Sequence, residues 1–114
     1  MIGLDACDSL RLEAGLCLAG IDFDADTTPV EAALEWVIAA KYRAESPIAA
    51  RFSGAEIILE QIEKVALRRR IGLVSSGRAP VRAGTALFSE QAEVGRVTSG
   101  SYAPSLRVPL ECEI

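Results

Sequence analysis

Near residue 66 the hydrophobic period of this 114-residue chain changes. Up to that point apolar residues recur at helical spacing, and capping signals stand between the runs. Beyond it they alternate in short stretches broken by Gly, Pro and Ser. A period near 3.6 asks for a helix and a period of 2 asks for a strand. The chain is therefore expected to be α+β, with a helix-bearing N-terminal segment followed by a small antiparallel β-barrel or sandwich.

In the helical part, Leu4 to Ala14 predicts a helix with Asp5 as N-cap and Gly15 at the stop. Asp8 and Arg11 stand three apart on it and can pair. No sequence before this helix supplies a sheet for it, so its apolar residues need a partner from elsewhere. The "LCLAGIDF" stretch that follows is more extended in character. "TTPVEAALEWVIAA" predicts a second helix, with Thr28 and Glu31 as a capping box and Pro29 in the first turn. Its end, Trp36 to Ala39, suits either helix or strand. "YRAESPIAARF", interrupted by Pro47, reads as a connection. "SGAEIILEQIEKV" restarts with Ser53 and Glu56 as another capping box and a stripe of Ile58, Ile62 and Val65.

The strand part begins with "LRRRIGLVSS", turns at "SGRAP", and continues through "VRAGTALFS" and "EVGRVTSG". With one Trp, two Tyr and three Phe, the core must be built mainly from Leu, Ile, Val and Ala.

Composition removes several chemistries. The net charge of −4 argues against nucleic acid, since a phosphate-backbone binder needs a basic surface. No apolar run approaches the roughly 20 residues of a membrane span. The absence of His excludes Ser-His and Cys-His pairs and most zinc sites, so no metal ligand and no catalytic residue is assigned. Cys7, Cys17 and Cys112 lack C-x-x-C spacing and read as reduced, mostly packed thiols in an intracellular compartment.

Few side chains carry a chemical signal. Arg11 and Glu13 sit in an apolar run, "DSLRLEAGLCLAG", either as a solvated helix face or as partners of a polar ligand. The cluster Asp22, Asp24 and Asp26 lacks the Gly and Glu placement of a helix-loop-helix calcium site and reads as an exposed turn. Arg68, Arg69 and Arg70 fall in an alternating run, where Arg69 points away from its neighbours and no three-pronged phosphate site forms. Trp36 is a core or rim filler, or a flat face for a ring system.

These residues also carry a family resemblance. "DSLRLEAGLCLAGIDFDADTTPVEAALEW", "RRRIGLVSSGRAPVRAGTALF" and "VGRVTSGSYAPSL" resemble, in order, the tetrahydrofolate-dependent aminomethyltransferase family, the T-proteins of the glycine cleavage system. The resemblance implies a cloverleaf of β-rich domains around a folate channel. It implies transfer of an aminomethyl group from the lipoylated H-protein to tetrahydrofolate, giving methylenetetrahydrofolate and ammonia. It maps residues 1–45 to the end of the folate-binding domain and 46–114 to the C-terminal barrel, incomplete at its end. The half with the reactive carboxylate has no counterpart here, so the isolated chain is expected to be inactive. Where the family pattern has a folate-contacting Arg, this chain has Cys7, which cannot donate a charged fork of hydrogen bonds. Arg11, Glu13 and Trp36 match the pattern and are taken with Cys7 as folate-site positions. The alternatives are a related folate-dependent demethylase and a non-catalytic folate-binding or assembly module. Bacterial cytoplasm or mitochondrial matrix is the implied compartment, and self-association is expected to cover the first helix.

Overall fold

A computed structural model describes residues 3–43, 48 and 50–113. Eight elements follow one another: helix α1 (Leu4–Glu13), a 3₁₀ turn (Glu35–Val37), helices α2 (Ala40–Arg43) and α3 (Ala55–Lys64), and strands β1 (Ile71–Val74), β2 (Ala86–Ser89), β3 (Ala92–Ala103) and β4 (Val108–Glu113). The strands form one antiparallel sheet in the order β1-β4-β3-β2. The α+β reading holds, with the strand half as the barrel-like part.

Helix α1 starts after Gly3 with no side-chain cap, so Asp5 lies inside its first turn and is not the N-cap. Gly15 does end it, at a φ of 67° that a residue without Cβ adopts freely. The Asp8–Arg11 pair forms at 2.9 Å. The expectation that α1 lacks a sheet is corrected, because it lies across β3 and β4. Leu12 is buried there, the Ser9 and Ser101 hydroxyls meet at 3.1 Å, and the Ser105 N–H donates to Glu13 Oε1 at 2.9 Å. Leu4 and Leu10 stay exposed, since only one face of the helix reaches the sheet.

The capping box at Thr28 forms without its helix. Thr28 N–H donates to Glu31 Oε2 at 2.8 Å, and Glu31 N–H to Thr28 Oγ1 at 3.2 Å. The turn then closes at once, with Ala33 at a φ of 56°, Ala33 N–H bonded to Val30 O at 3.1 Å and Leu34 N–H to Pro29 O at 2.7 Å. These paired closing bonds satisfy the carbonyls that a longer helix would have used. Val30 and Ala32 are buried in this single turn. At α3 the reverse occurs: the helix forms, but Gly54 is its N-cap and the Ser53–Glu56 box does not close. Pro47, taken as the interruption of the connecting stretch, lies outside the described residues.

Two strands run beyond the sequence pattern. The stretch read as "EVGRVTSG" continues to Ala103, and "VPLECE" is the strand between β1 and β3. Proline discourages an inner strand because it lacks the ladder N–H. Pro109 is tolerated because it pairs with Tyr102 beyond Val74↔Leu110, where β1 has ended. The β2–β3 hairpin turns at Glu90 and Gln91, and Arg107 closes the β3–β4 turn through its N–H to Ala103 O at 2.7 Å. Apart from Leu12 and Ile58 the buried apolar residues are small, with Val97 the largest of those almost wholly enclosed.

Candidate functional site

An open cleft of about 470 Å³ lies between α1, β3 and the segment carrying Arg82. Ser9 and Arg11 line it from the helix, and Thr98, Ser99 and Ser101 from the strand. Gly100 lets the third wall close in: a Cβ there would stand 2.2 Å from the Val81 carbonyl oxygen. Among the described residues Arg82 has no ion-pair partner, so its guanidinium is available at the cleft.

The cleft floor rests on Asp22, a residue the sequence reading placed in an exposed acidic turn. That expectation is corrected, because Asp22 is 1 % exposed. Its Oδ2 accepts from Arg11 Nη1 at 2.9 Å and from Leu18 N–H at 2.8 Å. Its Oδ1 accepts from Thr98 Oγ1 at 2.7 Å and from the Ser99 hydroxyl. Thr98 Oγ1 also lies 3.1 Å from Cys112 O, but its one proton goes to the closer, charged acceptor. Consecutive strand residues normally point to opposite faces. Thr98 and Ser99 both reach Asp22 because the β3–β4 register shifts between Val97 and Ser99.

Burial would raise the Asp22 pKa. Hydrogen bonds from Ser99, Thr98 and Leu18, with the Arg11 charge, outweigh it and hold the carboxyl below its ordinary value. Asp24 does behave as an exposed turn residue, accepting from Thr27 Oγ1 at 2.8 Å and Asp26 N–H at 3.0 Å.

Arg11 is thus the centre of a buried network. Nη1 engages Asp22 and Nη2 engages Asp8, both at 2.9 Å, while Nε is buried with no partner among the described residues. Of the four positions taken from sequence as folate-site residues, Cys7, Arg11, Glu13 and Trp36, Arg11 alone lines the cleft. Cys7 is exposed on α1, Glu13 holds the Ser105 backbone, and Trp36 stands 66 % exposed in the 3₁₀ turn. The structure does not bring those four together around one cavity.

The three consecutive arginines form no basic patch. Arg68 pairs with Glu31 at 3.1 Å and Arg69 with Glu35. Arg70 donates to Ala32 O at 2.9 Å, Cys112 Sγ at 3.0 Å and Gly15 O at 2.7 Å. They clasp the strand half to the helical half. Alternation hid this, since the run precedes β1 and is not itself a strand. Cys112, buried beside Arg70, has its thiol pKa raised by burial, with the guanidinium opposing only in part. Cys17 is half-buried, so "packed" fits Cys112 best.

Comparison with known proteins places this arrangement. The model of the GCVT N-terminal domain matches residues 1–42, and that of the glycine cleavage T-protein C-terminal barrel domain matches 68–110. Mitochondrial aminomethyltransferases from Solanum tuberosum and Mus musculus are 48 % and 49 % identical over 94 % of this chain. The chain belongs to the aminomethyltransferase, or glycine cleavage T-protein, family. The crystal structure of the glycine cleavage system aminomethyltransferase T from Bartonella henselae superposes with a TM-score of 0.83 at 45 % identity, over 95 % of this chain. The chain spans about a quarter of the curated aminomethyltransferases, 25 % and 26 % of those two, and 29 % of the Bartonella chain. Within this T-protein segment Asp22, held by Arg11 of the same matched module, accepts from Thr98 and Ser99 of the other. Among the described residues no helix is long and apolar enough to cross a membrane.

Proposed function

We propose that this chain supplies part of the folate-channel wall and the C-terminal barrel of a tetrahydrofolate-dependent aminomethyltransferase. The observation that carries this is the Asp22 network, which locks the two matched family modules into one cleft-forming unit. The parent reaction takes the aminomethyl group from the lipoylated H-protein, releases ammonia and forms methylenetetrahydrofolate. Tetrahydrofolate supplies the nucleophilic nitrogens. The residues present fit only part of that molecule. The hydroxyls of Ser9 and Ser101 and the unpaired Arg82 suit its carboxylates. Among the described residues no aromatic side chain lines the cleft to stack on a pterin.

Cys7, Arg11, Glu13 and Trp36 are proposed as folate-site positions on pattern, Arg11 as framework and Cys7 as a lost contact. The boundary near residue 45 is proposed on the same ground, and it falls in the segment between the two matched spans. The isolated chain transfers no aminomethyl group, because among the described residues no general acid or base is assembled in the cleft beyond carboxylates already paired or exposed.

The test replaces the matched span of the Bartonella aminomethyltransferase with this chain and titrates tetrahydrofolate by calorimetry. Cys7→Arg in that chimera should bind at least about tenfold more tightly, the scale of one charge-assisted hydrogen-bond pair. Unchanged affinity removes the lost-contact reading. Turnover by the isolated chain with aminomethyl-loaded H-protein removes the partial-enzyme reading.

A further inference from the structure

The cleft between α1 and β3 carries charges of both signs that do not meet. Its third wall is pinned through the backbone on either side of Arg82. Val81 N–H donates at 3.0 Å to Oε1 of Glu111, a residue only 3 % exposed. Arg82 O accepts from Thr85 Oγ1 at 2.7 Å and from Thr85 N–H at 3.2 Å, and Gly84 N–H donates to Val97 O at 2.7 Å. A buried carboxylate needs a donor, and here the donor is the residue immediately before Arg82. The Arg82 guanidinium is thereby carried on a fixed backbone, lines the cleft, and has no ion-pair partner among the described residues.

The helix wall is acidic. Asp5 and Asp8, at i and i+3 on α1, share a face and both line the cleft. Asp5 has no ion-pair partner among the described residues, and Asp8 gives Oδ1 to Arg11 while Oδ2 stays unbonded. Arg11 does not offset this wall, since Asp22 shares the same guanidinium. Between the walls the Ser9 and Ser101 hydroxyls meet at 3.1 Å. One proton lies between the two oxygens, so the other hydroxyl proton is free to donate into the cleft. Asp5 and Arg82 thus line one cavity of about 470 Å³ without pairing with each other.

We infer that the cleft is a binding site for a small zwitterion, an amino acid whose carboxylate lies on Arg82 and the Ser9–Ser101 hydroxyls and whose ammonium faces Asp5 and Asp8. A guanidinium fork matches a carboxylate with two parallel hydrogen bonds. An ammonium has three donors and no acceptor, which suits the carboxylate oxygens left open on the helix. A simple anion would meet Asp5 and Asp8 with like charge, and a simple cation would meet Arg82 in the same way. A ligand with one charge at each end answers both walls. Tetrahydrofolate would use half of this site, because its tail brings carboxylates to Arg82 and no ammonium to Asp5. The amino acid is therefore a ligand beyond the folate reading.

The chain, labelled with nitrogen-15, is titrated with 4-aminobutyrate, with butyrate and butylammonium as single-charge analogues, and its amide shifts are followed. β-Alanine and 5-aminopentanoate, one carbon shorter and one longer, gauge the gap between the walls. At least one of the three amino acids should bind at least about threefold more tightly than either analogue, the scale of one partly exposed ion pair. The largest shifts should fall in 5–9, 81–83 and 98–101. Asp5→Asn should weaken that amino acid by about threefold and leave butyrate bound no more weakly. Arg82→Gln should weaken the amino acid and butyrate alike and leave butylammonium bound no more weakly. Both positions are exposed, so the circular dichroism of the variants should match the parent's. Three results overturn the inference: no binding by any of the three amino acids, binding no tighter than that of an analogue, or an advantage that survives Asp5→Asn. Tetrahydrofolate is absent throughout, so each of these results leaves the folate reading to its own test.

Discussion

Replacing Asp22 with Asn tests the network on which the cleft rests. Asn keeps the shape of the side chain and one accepting oxygen, which can still serve Leu18 N–H. Its amide can donate to the Thr98 and Ser99 hydroxyls once they rotate. The charge has no substitute. Arg11, 13 % exposed at its side chain, is left with Asp8, whose side chain is 54 % exposed. Removing one partner of a buried pair costs about 3–5 kcal/mol, and the surviving Asp8 contact places this case at about 3 kcal/mol. Small domains have about 5–15 kcal/mol in all, so Asp22→Asn should lower the melting temperature by at least about 10 °C. Urea unfolding followed by circular dichroism between pH 3 and 7 measures both cost and pH dependence. The Asp22 carboxyl is held below its ordinary 3.8 in the folded chain. Its stabilisation is therefore complete above that value and disappears as pH falls through the lower folded one. The gap between parent and variant should be widest near neutrality and close in acid. A loss under about 1 kcal/mol at pH 7, or a gap constant with pH, would refute the assignment of Asp22 as the counter-ion of Arg11.

Two further outcomes follow from close packing and from burial. Gly100→Ala drives a Cβ to 2.2 Å from a backbone oxygen, whereas Gly95→Ala meets the movable Glu113 side chain. Gly100→Ala should therefore be the costlier, by about 1–3 kcal/mol, with faster amide exchange at Gly84, whose N–H bonds Val97 O. The reverse order in urea titrations would contradict the close approach of the Arg82 segment to β3. With an aromatic disulfide reagent at pH 8, exposed Cys7 should react at once, and buried Cys112, its pKa raised, only on the timescale of unfolding. Equal rates by peptide mass mapping would exclude the packing described around Arg70.

Local sequence determined local structure where the physics was local. The 3.6 period produced α1 and α3, Gly15 stopped α1, and the Thr28–Glu31 box formed its two reciprocal bonds. The residue types also showed the family, because "DSLRLEAG" and "VTSG" carry the groups that later meet at Asp22. Tertiary structure decided everything that depended on which distant segment arrives. The box at Thr28 did not propagate, since its residues bury Val30 and Ala32 in one turn and hand Glu31 and Glu35 to Arg68 and Arg69. Pro109 entered an inner strand because β1 ends before reaching it. Asp22, Asp24 and Asp26 look alike in sequence, each an acid in a turn-rich stretch. Only the arrival of Thr98 and Ser99, turned to one side by the register shift in β3, makes Asp22 the buried member. A carboxylate's burial is fixed by the donors that surround it, and two of the four around Asp22 lie 76 and 77 residues away.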